Sequence, residues 1–132
     1  MIVCVAANPS IDRLFEVDRV ELGTIHRPDA FVMVPGGKGL NVARAAASLG
    51  ADVLAVGILA GHAGRWLEEA LAGEGVPAAF AWAEGETRSS LSVADRATGG
   101  LTEFYERGDD IGPTAGRGSK TSSASPSSAP RG

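Results

Sequence analysis

Pro35-Gly36-Gly37-Lys38-Gly39-Leu40-Asn41 is the segment of this 132-residue sequence in which residue types and spacing point to chemistry. Glycines let a backbone approach a ligand closely. A helix that starts here turns free N–H groups and the positive end of its dipole outward. An anionic or densely hydroxylated ligand suits that arrangement. Lys38, Asn41 and Arg44 recur at every third position and form a polar stripe on that helix. Lys38 has the wrong sign for a first helical turn, which favours a role beyond stability.

Three readings of the glycines compete. A Walker A loop needs four residues between its glycines and a Ser or Thr after the Lys, but Gly39 follows Lys38. A dinucleotide fingerprint beginning at Gly37-Lys38-Gly39 meets Val42 at its sixth position, and no acidic residue ends the following strand. A tight strand-to-helix turn explains Gly36 and Gly37 but not the company of Lys38 and Asn41.

The elements that must position this segment follow from the apolar pattern. Ile2–Ala7 is a continuous apolar run stopped by Asn8-Pro9, as in a strand buried on both faces. Phe15–Val20 and Ala30–Val34 read as an antiparallel pair. Lys38–Leu49 reads as a helix with Val42, Ala46 and Leu49 on its apolar face and Gly50 as its stop. A strand over Val53–Leu59 and a helix over Gly64–Ala72 follow, the latter closed by Gly73. Ala78–Ala83, Ser89–Asp95 and Leu101–Tyr105 are then strands. Strand and helix alternating over short connections predicts an α/β layered sheet with right-handed crossovers.

Asn8-Pro9-Ser10-Ile11-Asp12, then Pro35 through Arg44, then Gly57-Ile58-Leu59-Ala60-Gly61, then Gly85-Glu86-Thr87-Arg88 together resemble the N-terminal part of PfkB-type sugar kinases of the ribokinase superfamily. The spacing is most similar to the 1-phosphofructokinase and tagatose-6-phosphate kinase branch. The resemblance implies a partial ribokinase-like layered sheet with a small β-sheet lid, and a sugar-phosphate ligand. It implies that Asp12, at the lid hinge, binds sugar hydroxyls and that Gly37, Lys38 and Asn41 line the sugar site. It further implies that Arg88 holds the phosphate of the sugar, with Arg27 a second contact. A carboxylate accepts from a pair of hydroxyls and a guanidinium fork matches a phosphate. Each residue also has a plainer reading. Asp12 could cap a turn, Lys38 could be a solvated first-turn residue, and Arg88 could pair with Glu86 or Glu103 across strands. His26 and His62 lack metal-ligand spacing, and no metal site is expected.

ATP and Mg belong to the parent family, but no site for either is evident in this sequence. The family's C-terminal Gly-Ala-Gly-Asp and Asn-x-x-Glu motifs are absent from it. No catalytic residue is therefore assigned. The expectation is a truncated or frameshifted sugar-phosphate kinase, inactive alone. The alternatives are a noncatalytic sugar-phosphate-binding or dimerising module, with a homodimer through the lid, and a fragment that does not fold stably.

Composition agrees with an ending near residue 111. Residues 112–132 hold six Ser, four Gly and three Pro without one Leu, Ile, Val, Met or aromatic residue, so a disordered tail is expected behind a kinase-like part over 1–111. Nine basic against sixteen acidic residues leave the body at −7, while the tail carries +3. An acidic body argues against nonspecific nucleic-acid binding. The single Cys4, in an apolar run, suggests a reducing compartment. No segment reads as a leader or membrane span, so no membrane contact and a cytoplasmic location are expected.

Overall fold

A computed structural model describes residues 1–108. The expected disordered tail over 112–132, and the end of the body before it, lie outside the described residues. The elements run β1 (Ile2–Ala6), β2 (Ser10–Val17), β3 (Ala30–Gly36), α1 (Lys38–Ser48), β4 (Val53–Ala60), α2 (Gly61–Gly73), β5 (Ala78–Ala83), β6 (Arg88–Asp95) and β7 (Leu101–Tyr105). They form two sheets. One is parallel, in the order β1-β4-β5; the other is mixed, in the order β3-β2-β6-β7.

The parallel sheet is the layered α/β part. Cys4 and Ala6 of β1 and Val53, Ala55 and Leu59 of β4 pack in one cluster with Leu40 and Ala43 of α1 and Leu67 and Leu71 of α2. Both helices therefore cover the same face. Successive crossovers of one hand, stepping in one direction along a sheet, place their helices in this way. Leu40, Leu67 and Leu71 are fully buried, each contributing about 1.5–3 kcal/mol by its removal from water.

Several boundaries and faces differ from expectation. The β1 strand is buried on one face only: Cys4 and Ala6 are inside, while Val3 is 52 % and Val5 65 % exposed. Side chains alternate along a strand, and among the described residues a helical layer covers one side of the sheet. On α1 the core face is Leu40 and Ala43, with Ala46 and Ala47 packed beside them, whereas Val42 and Leu49 are exposed. The true stripe follows the 40-43-47 spacing, and Val42 is turned well around the helix from it. On α2 Leu67 and Leu71 are buried, but the helix begins at Gly61 rather than Gly64 and its left-handed terminal glycine is Gly75, φ 75°, rather than Gly73. Strand β2 begins at Ser10, five residues before Phe15, which moves Asp12 from a turn into a strand.

The second sheet is the expected lid. Strand β2 pairs antiparallel with β3 and parallel with β6, and β6 pairs antiparallel with β7. Thr87 joins the lid to the parallel sheet. Its N–H donates to the Ala60 carbonyl at 3.0 Å and its Oγ1 accepts from the Ala60 N–H at 2.9 Å. At the opposite end of the lid, the Arg96 guanidinium bonds the carboxylates of Asp18 and Asp29, tying the β2–β3 loop to the β6–β7 turn. Both partners raise the Arg96 pKa, Asp18 first and Asp29 next.

Candidate functional site

Gly36 and Gly37 sit where β3 meets α1, at the junction of the two sheets. Gly37 is the residue before the helix, at φ 98°, a conformation L side chains rarely adopt. No side chain caps the helix and its first turn has no acidic residue, so the leading N–H groups and their partial positive charge face outward beside Lys38. Gly39 has a different reason. A Cβ there would collide with the Val5 carbonyl and Ala6 Cα, so α1 approaches β1 as closely as a backbone can.

A cleft of about 300 Å³ opens at this point, lined by the end of β1, Asn8, Gly37, Lys38, Gly39 and Arg88. Arg88 Nη2 and Nε donate to the Asn8 carbonyl at 3.0 and 3.3 Å. That contact anchors the guanidinium by one edge and leaves its Nη1/Nη2 fork for an anion in the cleft.

Asp12 is next to the cleft. Strand register places Ser10, Asp12 and Leu14 of β2 on the lid face that also carries Arg88 and Ser90 of β6 and Val34 and Gly36 of β3. Asp12 Oδ1 accepts from Ser10 Oγ at 2.6 Å and Ser90 Oγ at 2.8 Å. The carboxylate lies against Gly36, in the space that a side chain at 36 would fill. Tyr105 pairs with Ser90 and so joins the same face. Its hydroxyl contacts Glu103 at 3.2 Å, and that hydrogen bond, reinforced by the charge of Glu103, raises the phenol's pKa.

The structure thus brings Gly37, Lys38 and Arg88 around one cleft and sets Asp12 beside it. Asn41 is in the first turn of α1, exposed, with its N–H donating to the Gly37 carbonyl at 2.9 Å. Arg27 is not brought there. It is in the β2–β3 loop beyond the Glu16–Ala30 pair, at the opposite end of the strands from Gly36, about 20 Å away at 3.3 Å per residue. The sequence reading missed Ser10, Ser90, Tyr105 and the Asn8 carbonyl. Ser10 and Asp12 are two apart, the spacing that puts side chains on one face of a strand, but the signal shows only once β2 is taken to begin at Ser10. His26 is a loop residue whose ring nitrogen Nε2 accepts from the Glu21 N–H, and Cys4 is buried in the core.

Known proteins resemble the chain in sequence and in fold. The 1-phosphofructokinase of Haloferax volcanii is 38 % identical over 94 residues, covering 70 % of this chain and 31 % of that protein. The tagatose-6-phosphate kinase of Staphylococcus epidermidis is 36 % identical over 111 residues, covering 84 % and 35 %. Among solved structures, phosphofructokinase-2 from Escherichia coli in complex with fructose-6-phosphate aligns with a TM-score of 0.80 at 34 % identity, over 88 % of this chain and 38 % of that one. A possible 1-phosphofructokinase from Thermotoga maritima aligns at 0.78 and 30 % identity, over 84 % and 36 %. The chain spans about a third of the length of the curated relatives it matches. Residues 2–125 match the description "pfkB family carbohydrate kinase". The ordered motifs, the layered sheet with its lid and this match over nearly the whole sequence make the chain a member of the pfkB family of carbohydrate kinases.

Proposed function

We propose that this chain is the sugar-phosphate-binding part of an ATP-dependent kinase of the 1-phosphofructokinase type, whose substrate is a ketohexose phosphate. One observation carries the reading: Asp12 and Arg88 share a lid face, two register positions apart, and Arg88 lines a cleft at the uncapped N-terminus of α1. In this reading Asp12 accepts from sugar hydroxyls and Asn41 adds a contact from the first turn of α1. Arg88 takes the existing phosphate with its free fork. Lys38 and the leading N–H groups of α1 stabilise negative charge in the cleft. Arg27 acts on the substrate only if its loop comes to a site from elsewhere, since within the chain it is remote.

The described residues form no protein cage for a metal ion. Among them no group of three or more His, Cys, Asp or Glu could hold a metal ion. Phosphoryl transfer depends on such an ion and on a base for the attacking hydroxyl. The family's Gly-Ala-Gly-Asp and Asn-x-x-Glu motifs are absent from the sequence, so these 132 residues on their own are proposed to bind the sugar phosphate without turning it over. Titration calorimetry with fructose 1-phosphate tests binding: saturable heat that Arg88→Ala diminishes supports the reading, and none from the unmodified chain overturns it. Coupled ADP release with ATP and fructose 1-phosphate tests the second half, where clear turnover would refute it.

A dimerising module is favoured by a separate observation. The lid face opposite Asp12 carries Phe15, Phe31, Leu91 and Phe104, with Phe31 and Phe104 more than half exposed and Phe15 edge-on to Phe31 at 6.0 Å. A homodimer through this face predicts a two-chain mass in sedimentation that Phe104→Asp reduces to one.

A further inference from the structure

We propose that Ser10 and Ser90 are positioning residues that hold Oδ1 of Asp12 so that Oδ2 is the oxygen meeting the substrate. The proposal rests on the reading of Asp12 as the acceptor for sugar hydroxyls and deepens it.

Ser10 is 1 % exposed and Ser90 7 %. A buried hydroxyl is costly unless it is hydrogen-bonded, and both of these are directed at one atom rather than at neighbouring backbone. A carboxylate only accepts, so both hydroxyls donate, at 2.6 and 2.8 Å. The donors come from two strands. Ser10 is two residues before Asp12 on β2, and Ser90 stands in register with Asp12 on β6. One donor would leave the carboxylate free to pivot about that bond. Two donors from different directions fix the rotation of the side chain and the identity of the inward oxygen.

Oδ2 is left in a different state. Among the described residues no hydrogen bond reaches it, and no fully buried side-chain polar atom there lacks a partner, so Oδ2 is not fully buried. It faces Gly36, where the missing side chain makes room for it. The same pair of serines also fixes a length. Ser90 and Arg88 are alternate residues on one strand, about 6.6 Å apart along it. Tying Asp12 to Ser90 therefore holds the hydroxyl acceptor at a set distance from the phosphate-binding guanidinium. That distance is a means of recognising a sugar already phosphorylated at a particular separation from its free hydroxyls.

The test is calorimetry on the full 132-residue chain with two probes, fructose 1-phosphate and inorganic phosphate, for Ser10→Ala, Ser90→Ala, the double variant, Ser90→Thr and Asp12→Asn. Each alanine is expected to weaken fructose 1-phosphate about tenfold or more, as the loss of one hydrogen bond to a charged group does, and the double variant further. Inorganic phosphate, held by Arg88, should bind each variant as it binds the unmodified chain. Ser90→Thr, which keeps the hydroxyl, should restore most of the affinity and guards against misfolding of the alanine variants. Unchanged fructose 1-phosphate affinity in the double variant, with Asp12→Asn losing it, overturns the positioning role and leaves the assignment of Asp12 intact. Equal losses for both probes overturn it in favour of a general structural role. Unchanged affinity in Asp12→Asn, or no sugar-phosphate binding by the unmodified chain, overturns the underlying reading and this one with it.

Discussion

Gly36→Ala should weaken sugar-phosphate binding on the order of 100-fold through a clash two strands away from Arg88. The backbone at Gly36 is outside the left-handed region, so alanine is conformationally acceptable there, unlike at Gly37. What alanine meets is Asp12. Its Cβ would fall inside the carboxylate, with even the more distant oxygen, Oδ1, only 2.5 Å away, where ordinary contact starts at 3.4 Å. The carboxylate must retreat by about 1 Å or more, and a misplacement of that size in a binding constellation costs on the order of 100-fold. The retreat also stretches the bonds from Ser10 and Ser90, each worth about 1.5–3 kcal/mol as a hydrogen bond to a charged group. Calorimetry with fructose 1-phosphate reads the affinity, and chemical denaturation reads the fold. The double variant Gly36→Ala with Asp12→Ala separates the two effects. It removes the obstacle, so its stability should exceed that of Gly36→Ala alone while binding stays weakened. Gly50→Ala is the control. Its Cβ meets nothing within 4 Å, and φ +84° alone costs about 1–2 kcal/mol of stability with no change in affinity. The reasoning fails if Gly36→Ala binds the sugar phosphate as tightly as the unmodified chain.

Other substitutions probe the elements that carry the site. Gly39→Ala drives a Cβ into the backbone of Val5 and Ala6, which cannot step aside, and should destabilise the chain by about 3 kcal/mol, seen as a fall in the denaturant midpoint. Thr87→Val keeps the side chain's shape but orphans the Ala60 N–H at the lid junction, costing about 1–3 kcal/mol. Hydrogen exchange should then quicken at Ala60 before it does at Leu67. Asp95 accepts N–H groups from Val20, Ala97 and Thr98, and these bonds, Val20 first, lower its pKa from 3.8. A depressed folded-state value means that its contribution to stability is present above the unfolded pKa and lost as pH falls through the folded one. The stability gap between the chain and Asp95→Asn should therefore be constant at neutral pH and close in acid; a gap that widens in acid would refute the assignment.

The order of elements and the position of the glycine-rich turn were legible because they depend on local rules. Apolar runs punctuated by Gly and Pro mark strands and helices without reference to partners, and the glycine-rich turn announced the helix N-terminus. The faces were less legible. Whether Val42 or Ala43 of α1 points inward depends on where Gly39 lets β1 approach, a tertiary fact. Asp12 shows the limit most sharply. As a lone Asp after Pro-Ser it could cap a turn, and nothing local distinguishes that from a strand residue. Its hydrogen-bonded setting forms only when β6 pairs alongside β2 and supplies Ser90, a residue 78 positions away, as the second donor. For the same reason Arg27 and Arg88 look alike in the sequence but not in the fold. Strand register sends one to the far end of the lid and the other to the cleft, so the assignment of an arginine to a phosphate depends on which strand end it occupies.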